Sequence, residues 1–489
     1  METKTTPVEK KQSVAGVFGN VPCDLSKIDG RLHFIGIGGI GMSALARLLL
    51  NRGIAVSGSD KQGNAITDEL AQLGAKIHIG HEASNVNGAS GIVVSTAITG
   101  DNPELNWAKA NKLPIWHRSQ ILTALTKGKK LVAISGTHGK TTTTGMISNL
   151  LIDGDLDPSI VLGGILPLLK SNCRAGKSDY FIAEADESDG THANLPAEIA
   201  VVTNIEADHL ENYPDGVKQI LATMKVFAEQ ANTVVLCLDD AGCQSIIPEL
   251  KNRVIGYGLK DKSPEIKNVK TIYQFEDTSD SSTSAIKVYK DNVMLGTIKL
   301  AVPGVHNQYN ALATAIVGLE FGLDFQTIAK SLSTFAGVER RFQIIGEAKN
   351  ILIVDDYAHH PTEVVATLQA ARQFVAQDKF AAQRIVAVFQ PHQPGRLRDF
   401  WTEFCQSFKV CDLLLVSDVY VARGGAIAGI DSKRFCAEVK HPNTHHIAGS
   451  TAQLASQIKD FLQPYDLVIT IGAGDITTVG PALLKLLHS

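Results

Sequence analysis

The sequence predicts an α/β protein of three successive parallel-sheet domains, and three observations carry that prediction. At 489 residues the chain is several times the usual size of one hydrophobic core. Short β-branched runs alternate with helical patterns, the rhythm of a parallel sheet covered by helices. That rhythm restarts twice, at Lys129 and after the Arg340-Arg341 pair. Boundaries near 125 and 337 follow, giving a flexible tail (1–29) and domains over 30–124, 125–337 and 338–489.

Composition narrows the class. Hydrophobic residues make up 44% and charged residues 20%, which argues against a disordered chain and against a coiled coil. The 46 Lys+Arg against 50 Asp+Glu leave a net charge of -4, so nothing pulls the whole chain toward nucleic acid or an anionic membrane. Any anionic ligand must be met by local groups. Seven scattered cysteines form no C-x-x-C pair and read as idle or buried thiols in a reducing cytoplasm. The longest apolar stretches, residues 160–169 and the run ending at Leu50, fall short of the roughly 20 residues a spanning helix needs. The opening METKTTPVEKKQSVAGVFGN has lysines but no apolar segment behind them, so a tail is expected rather than a signal peptide, and a cytoplasmic location with it.

The first series opens with HFIGIG, followed by a helix through Leu50, then IAVSGSD, a helix through Leu73, AKIHIG and GIVVSTAI. Gly36-Ile37-Gly38-Gly39-Ile40-Gly41 is a G-x-G-x-x-G loop after a strand and before a helix, with Asp60 closing the next strand about 20 residues on. At face value this binds a dinucleotide. The physics is less selective, because glycines let the backbone approach any phosphate and a helix N-terminus offers N–H donors with partial positive charge. Nicotinamide or flavin, another diphosphate-bearing ligand, and a structural turn all stay open on this motif.

The second series runs from KKLVAISGT through YFIAEADE, EIAVVTNIE and TVVLCLDD. A polar stretch, residues 260–284, interrupts it and is expected to form hairpins or loops at the edge of the domain. The decisive feature is Gly136-Thr137-His138-Gly139-Lys140-Thr141, followed by Thr142, Thr143 and Thr144, between the strand LVAIS and a helix. A phosphate cradle belongs there. Lys140 is placed to neutralise β/γ-phosphate oxygens, and the Thr141 hydroxyl to hold Mg2+. The common G-x-x-x-x-G-K-[ST] pattern wants glycine at 134, where this chain has Ile134, so the loop is a shorter variant. A magnesium site also needs carboxylates from neighbouring strand ends. EADESD offers Glu184, Asp186, Glu187 and Asp189, and TNIEADH offers Asn204, Asp208 and His209. Glu184, nearest the strand, is the first choice; His209 is a ligand or a polar core histidine.

The third series reads ILIVDD, RIVAVFQ, DLLLVSD and DLVITIGAGD. Ligands of open α/β sheets bind beyond the carboxyl ends of the strands. Those ends carry Asp355-Asp356-Tyr357-Ala358-His359-His360, residues 390–396 with His392 and Arg396, residues 417–423 ending at Arg423, and Gly472-Ala473-Gly474-Asp475. Four polar loops on one edge make a site. Pro361 suits the first turn of a helix, which puts the DDYAHH loop at that helix's N-terminus. Upstream, GVHNQYN opens a helix in which Asn310 caps or Asn307 meets a ligand. Of Arg340 and Arg341, one is expected to reach transferring phosphate and the other to be a plain surface charge.

Taken in order, HFIGIGGIGMSALA, SGTHGKTTTT, EADESDG, TNIEADHLENY, GVHNQYNA, GVERRF, DDYAHHPTEV and QPH resemble the Mur ligase family, from His33 to the C-terminus. The resemblance implies an N-terminal Rossmann-like domain, a central P-loop ATPase-like domain and a C-terminal Rossmann-like parallel sheet. It implies an ATP-dependent acid–amino acid ligase that joins L-alanine to the carboxylate of UDP-N-acetylmuramate through an acyl phosphate, with Mg2+, in cytoplasmic peptidoglycan precursor synthesis. The chain would act as a monomer or homodimer, with no nucleic-acid or membrane partner.

Carried onto this sequence, the family's UDP-sugar site falls on Gly36, Gly38, Gly39, Ile40, Gly41, Asp60, Ser95 and Thr96. Its ATP site falls on Gly136, Thr137, His138, Gly139, Lys140, Thr141, Thr142, His306, Asn307, Arg341 and Asp356, and its metal on Thr141, Glu184 and His209. Tyr357, His359 and His392 match the amino-acid site. Lys140, His209, Arg341, His359 and Arg396 are the expected catalytic set, with His359 as the base that frees the amine.

Two departures stand out. Where several sister ligases carry a carbamylated lysine bridging metals, this chain has Met224, with Lys225 beside it. Where relatives place arginine directly after the QPH histidine, it has Gln393, and Arg396 is the nearest substitute. Two other classes compete. An NAD-dependent oxidoreductase reads Gly36 to Gly41 and Asp60 literally but leaves the Lys140 loop unexplained. A nucleotide-switched binding module is the non-enzymatic alternative.

Overall fold

The β-branched runs that start each series fold as fully buried central strands, because a parallel sheet covered on both faces demands side chains that are apolar on both sides. A computed structural model describes residues 22–188, 190–264, 266–280, 283–376, 380–422 and 425–489. Residues 1–21 of the expected tail, Asp189 of the acidic cluster and Arg423 lie outside the described residues.

Five parallel strands form the first sheet: β1 (Arg31–Ile35), β2 (Ala55–Asp60), β3 (Lys76–Ile79), β4 (Ala89–Val94) and β5 (Ile115–His117). Their order, β3-β2-β1-β4-β5, has its switch point between β1 and β4. The glycine loop after β1 therefore opens where neighbouring connections run to opposite faces.

The second sheet comprises β6 (Lys130–Ser135), β7 (Ser159–Leu166), β8 (Ser171–Arg174), β9 (Tyr180–Glu184), β10 (Ile199–Val202), β11 (Thr233–Cys237), β12 (Arg253–Leu259), β13 (Thr271–Asp277), β14 (Ser284–Lys290) and β15 (Val293–Leu300). They run in the order β15-β14-β13-β12-β11-β10-β6-β9-β7-β8. With β6 flanked by β10 and β9, the lysine loop sits between the two strand ends that carry the acidic clusters. The polar stretch at 260–284 leads into an antiparallel edge, β13 to β15, in line with the expected hairpins.

The third sheet, β16 (Gln343–Ala348), β17 (Ile351–Asp356), β18 (Arg384–Phe389), β19 (Leu413–Val416), β20 (Thr444–His446) and β21 (Asp466–Ile471), has the order β16-β17-β21-β18-β19-β20. All its pairs are parallel except β16 with β17.

The strands that the alternating rhythm does not mark are short, edge or glycine-broken ones. β5 and β20 have three residues each, and β7 carries the Gly163-Gly164 pair. Packing also fuses what the rhythm separates. One buried cluster runs from Leu32 and Phe34 of the first sheet and Leu45 of the helix behind it to Val132 and Val201 of the second sheet and Ile147 of the helix after the lysine loop. The third sheet keeps two clusters of its own, one on each face.

Candidate active site

The central loop is shaped by two left-handed glycines. Gly136 (φ 131°) would put a Cβ 2.2 Å from Thr203 Oγ1, and Gly139 (φ 84°) would put one 2.8 Å from Asn310 Oδ1. Gly139 starts the helix Lys140–Asp153 with no side-chain cap, so its first N–H groups are free to meet an anion. The loop between them is pinned to the end of β10: the His138 N–H donates to Asn204 Oδ1 (2.8 Å), and Thr203 Oγ1 and Asn204 Nδ2 donate back to His138 O (2.6 and 3.0 Å).

Lys140 Nζ donates to Gly136 O (2.6 Å), Thr137 O (2.9 Å) and Glu187 Oε1 (2.8 Å). Burial opposes its charge, but Glu187, Asp186 and Glu184 more than offset that and hold its pKa above the ordinary value. Lys140 is a permanent cation. Thr141 Oγ1 lies 3.1 Å from Glu184 Oε1, whose other oxygen accepts from the Gly163 N–H at 2.8 Å. A Cβ at Gly163 would press on both carboxylate oxygens at 2.8 and 2.9 Å, so only glycine leaves this cradle open. A hydroxyl and a carboxylate are hard oxygen donors, the chemistry Mg2+ selects.

His209 sits in the left-handed region (φ 53°) beside Asp208, its Nε2 at 3.6 Å from Asp208 Oδ2. Met224 is fully buried in the helix Val217–Glu229, while Lys225 turns outward to Glu249 (2.5 Å).

Facing this loop is a cavity of about 290 Å³ whose walls come from two domains. The central domain supplies His138, Gly139, Thr142, His306, Asn307 and the ends of β10 and β11; the third supplies Arg341, Asp356 and Glu363. Asn307 and Asn310 are both buried in the wall. Asn310 does not cap its helix, contrary to one expectation: it lies inside Val305–Glu320 and accepts from Thr143 Oγ1 at 3.1 Å, tying that helix to the lysine helix. Asp356 accepts from the Phe342 and Ala358 N–H groups (2.7 and 2.8 Å), yet burial pushes its pKa up to about 6 against the attraction of Arg341.

The arginine pair divides differently from expectation. Arg341 borders the cavity, 3.7 Å from Glu363. Arg340 is no plain surface charge, because its Nη2 donates to Gly472 O (2.7 Å) and Gly474 O (3.2 Å) and fastens the junction to the third sheet. Both guanidiniums lie over the Tyr357 ring, at 4.7 and 5.2 Å.

The polar loops of the third sheet meet. Gln390 donates to Asp475 (2.8 Å), His392 stacks on Tyr420 (5.6 Å, 13°), and the His359 and His392 rings are 5.8 Å apart. His359 Nδ1 lies 3.0 Å from Tyr357 O, a contact that needs a proton on Nδ1 and leaves Nε2 as the acceptor. Burial holds its pKa at about 3 in spite of Glu363, so the ring is neutral. Arg396 crosses to the central domain and binds Asp208 at 3.1 Å.

Glu363 is the residue sequence reasoning missed. It accepts from the His359 and His360 N–H groups (3.0 and 3.3 Å) and reaches His138 Nδ1 (3.3 Å) across the domain junction. Pro361 at the first helical position carried the signal, since it sets Glu363 two residues on, where an acid closes the helix N-terminus. On the other ring edge, His138 Nε2 is 3.4 Å from Glu206 Oε2. Burial alone would strip the ring's proton, but Glu206 and Glu363 hold its pKa up at about 9.

In the first domain, the Gly36 and Ile37 N–H groups donate to Ser59 O (2.8 and 3.0 Å), and the Gly38 N–H donates to Asp60 Oδ2 (2.9 Å). Gly39 and Ile40 begin the helix Ile40–Asn51, and Ser95 and Thr96 follow β4 across the switch point. Gly41 borders a small cleft with Arg118, Glu184 and Asp186, which joins the glycine loop to the Glu184 carboxylate. Arg118 binds Asp186 there at 2.6 Å, a role no motif announced.

The sequence matches the Mur ligase family, catalytic domain, over residues 31–130, the Mur ligase middle domain over 134–318, and the Mur ligase, glutamate ligase domain, over 340–474. The UDP-N-acetylmuramate–L-alanine ligase of Geobacter sp. (strain M21) is 40% identical over 466 residues, 94% of this chain and 98% of that one. Its counterpart from Syntrophobacter fumaroxidans (strain DSM 10017 / MPOB) is 41% identical over 465 residues, 94% and 96% of the two chains. Among solved structures, the UDP-N-acetylmuramate–alanine ligase of Thermotoga maritima aligns with a TM-score of 0.78 at 27% identity, covering 94% of this chain and 99% of its own. A murein peptide ligase from Psychrobacter arcticus 273-4 shares the fold at a TM-score of 0.69 and 21% identity, over 94% and 99% of the chains.

Proposed function

This chain belongs to the Mur ligase family, and from that premise we propose that it couples ATP hydrolysis to ligation of L-alanine onto the carboxylate of UDP-N-acetylmuramate. The observation that carries this reading is the placement of Lys140, Thr141 and Glu184 between the two-domain cavity and the cleft leading to the first glycine loop. A triphosphate in the cavity and a sugar diphosphate on Gly36 to Gly41 would meet at that point.

A carboxylate does not condense with an amine in neutral water, because hydroxide is a poor leaving group. In the first step the muramoyl carboxylate oxygen attacks the γ-phosphorus and ADP departs, leaving an acyl phosphate. Lys140 and Arg341 offset the charge on the transferring group from opposite domains. Thr141 and Glu184, with His209 as the third ligand carried over from the family, would hold Mg2+, which would supply further charge neutralisation for the phosphate oxygens.

In the second step the alanine nitrogen attacks the acyl carbon and the phosphate oxygen leaves with the electron pair. His359 accepts a hydrogen bond from the amine, and the proton released on amide formation leaves with the phosphate. A neutral ring whose Nδ1 proton is engaged by Tyr357 O presents Nε2 to an N–H of the nucleophile. Tyr357 and His392 border the same loops, and Arg396, fixed on Asp208, supplies the cation that relatives place after QPH. The third domain closing on the central one shields the acyl phosphate from water. We place the reaction in the cytoplasm; no helix among the described residues is long and apolar enough to cross a membrane.

Phosphate release from ATP with UDP-N-acetylmuramate, with and without L-alanine, tests the reading. Release should require both, and L-alanine should outrun glycine, L-serine and a tripeptide. Lys140→Ala should abolish ADP formation and leave UDP-sugar binding near normal; loss of sugar binding with intact ATP turnover would contradict the assignment. Quenching by NADH without any response to the UDP-sugar would restore the oxidoreductase reading.

A further inference from the structure

A second set of side chains at the domain junction has metal-site chemistry of another kind. His138 in the lysine loop, Glu206 beyond β10 and His360 beyond β17 each offer one donor atom, and the three donors lie within 4.8 Å of one another. His360 is 4% exposed, and its Nε2 is buried without a hydrogen-bond partner. His138 Nε2 is likewise buried and makes no hydrogen bond, although Glu206 Oε2 stands 3.4 Å away. The two rings are 4.8 Å apart, tilted by 39°.

The surroundings prepare these groups as ligands. Histidines that bind metals give their other ring N–H to a carboxylate or carbonyl. His138 Nδ1 already faces Glu363 Oε1 at 3.3 Å and keeps its proton there, so a cation entering beside Glu206 and His360 displaces the proton on Nε2. Thr362 Oγ1 donates to Glu206 Oε2 at 3.0 Å and orients that carboxylate. The contact His360 would give up is the long one from the Thr362 N–H to its Nδ1, at 3.4 Å. Two imidazoles and one carboxylate suit a borderline-soft cation, whereas Mg2+ selects oxygen donors. Drawing the donors to tetrahedral spacing needs side-chain movement of about 1 Å.

We propose that His138, Glu206 and His360 bind one zinc-type divalent cation, which staples the central domain to the third domain at the mouth of the cavity. The site uses none of the Thr141–Glu184 oxygens, and it does not depend on the ligase reading.

The test is a titration of the full, tag-free chain with CoCl2 and then ZnCl2, in excess Mg2+ and without nucleotide, sugar or amino acid. Expected are about one equivalent bound, visible Co2+ bands of a nitrogen–oxygen site, and displacement by Zn2+. His360→Asn and Glu206→Gln should each weaken binding at least about tenfold with unchanged far-ultraviolet dichroism. Binding that is equal in wild type and both variants would overturn the proposal. So would intense thiolate-to-cobalt charge transfer, which would hand the ion to the cysteines, or binding abolished by Mg2+. Should one variant fail to fold, the other decides alone, since each removes one of the three ligands.

Discussion

Glu363 gathers more of the site than any other side chain. Two backbone N–H groups, His138 and Arg341 converge on one partly buried carboxylate, and Arg341 in turn faces the cavity. Replacing it with glutamine keeps the volume and removes the charge that both cations share. The loss of a charged hydrogen bond, about 2 kcal/mol, should lower kcat roughly thirtyfold with little change in UDP-sugar affinity. Steady-state kinetics of Glu363→Gln checks this, and unchanged kcat would remove Glu363 from the machinery. The residue was not legible as functional, because an acid in a helical first turn is usually a cap; the histidine it also reaches lies 225 positions earlier.

At the scale of elements, strand ends and tight turns decide where the donors point. β7 passes beside β9 so closely that its Gly163 N–H holds Glu184, and a methyl group there would push the carboxylate off Thr141. Gly163→Ala should therefore raise the Mg2+ concentration for half-maximal activity at least about tenfold, with ATP binding in the absence of Mg2+ near normal; equal Mg2+ dependence would argue against Glu184 as a ligand. β7 was visible only as an apolar run, since nothing local says which carboxylate its glycines will cradle.

The first sheet has its own buried polar device. Glu104, fully buried, accepts from Ser59 (2.5 Å) and Asn85 (2.7 Å), with His81 at 3.3 Å and His33 at 3.7 Å. Burial alone would raise its pKa, but His33, Ser59 and Asn85 hold it down at about 2. A depressed carboxyl stabilises the fold above its unfolded value and loses that contribution as pH falls toward 2. Wild type should exceed Glu104→Gln by roughly 3 kcal/mol at pH 5 and above, and the gap should close between pH 4.5 and 2. Urea midpoints across that range measure it; a gap independent of pH would mean the carboxylate is not the stabilising form.

For the whole molecule, the relevant motion is separation of the third domain from the central one. Arg396 with Asp208, His138 with Glu363 and Thr362 with Glu206 span that junction. Arg396→Ala leaves Asp208 largely buried without its cation, a cost of about 3 kcal/mol that opening relieves. Small-angle scattering of the nucleotide-free variant should show a larger radius of gyration than wild type, and kcat should fall with it; an unchanged radius would show that the junction closes without this pair. The sequence by itself determined the α/β class, the restarts of the strand rhythm, and the glycine and lysine loops. Each of those signals is local, needing only backbone torsions and side-chain periodicity within a few turns of chain. Only the tertiary structure decided which loops meet. Arg396 and Asp208 lie 188 residues apart, and a contact at that separation follows from how whole sheets pack, which no short-range pattern encodes.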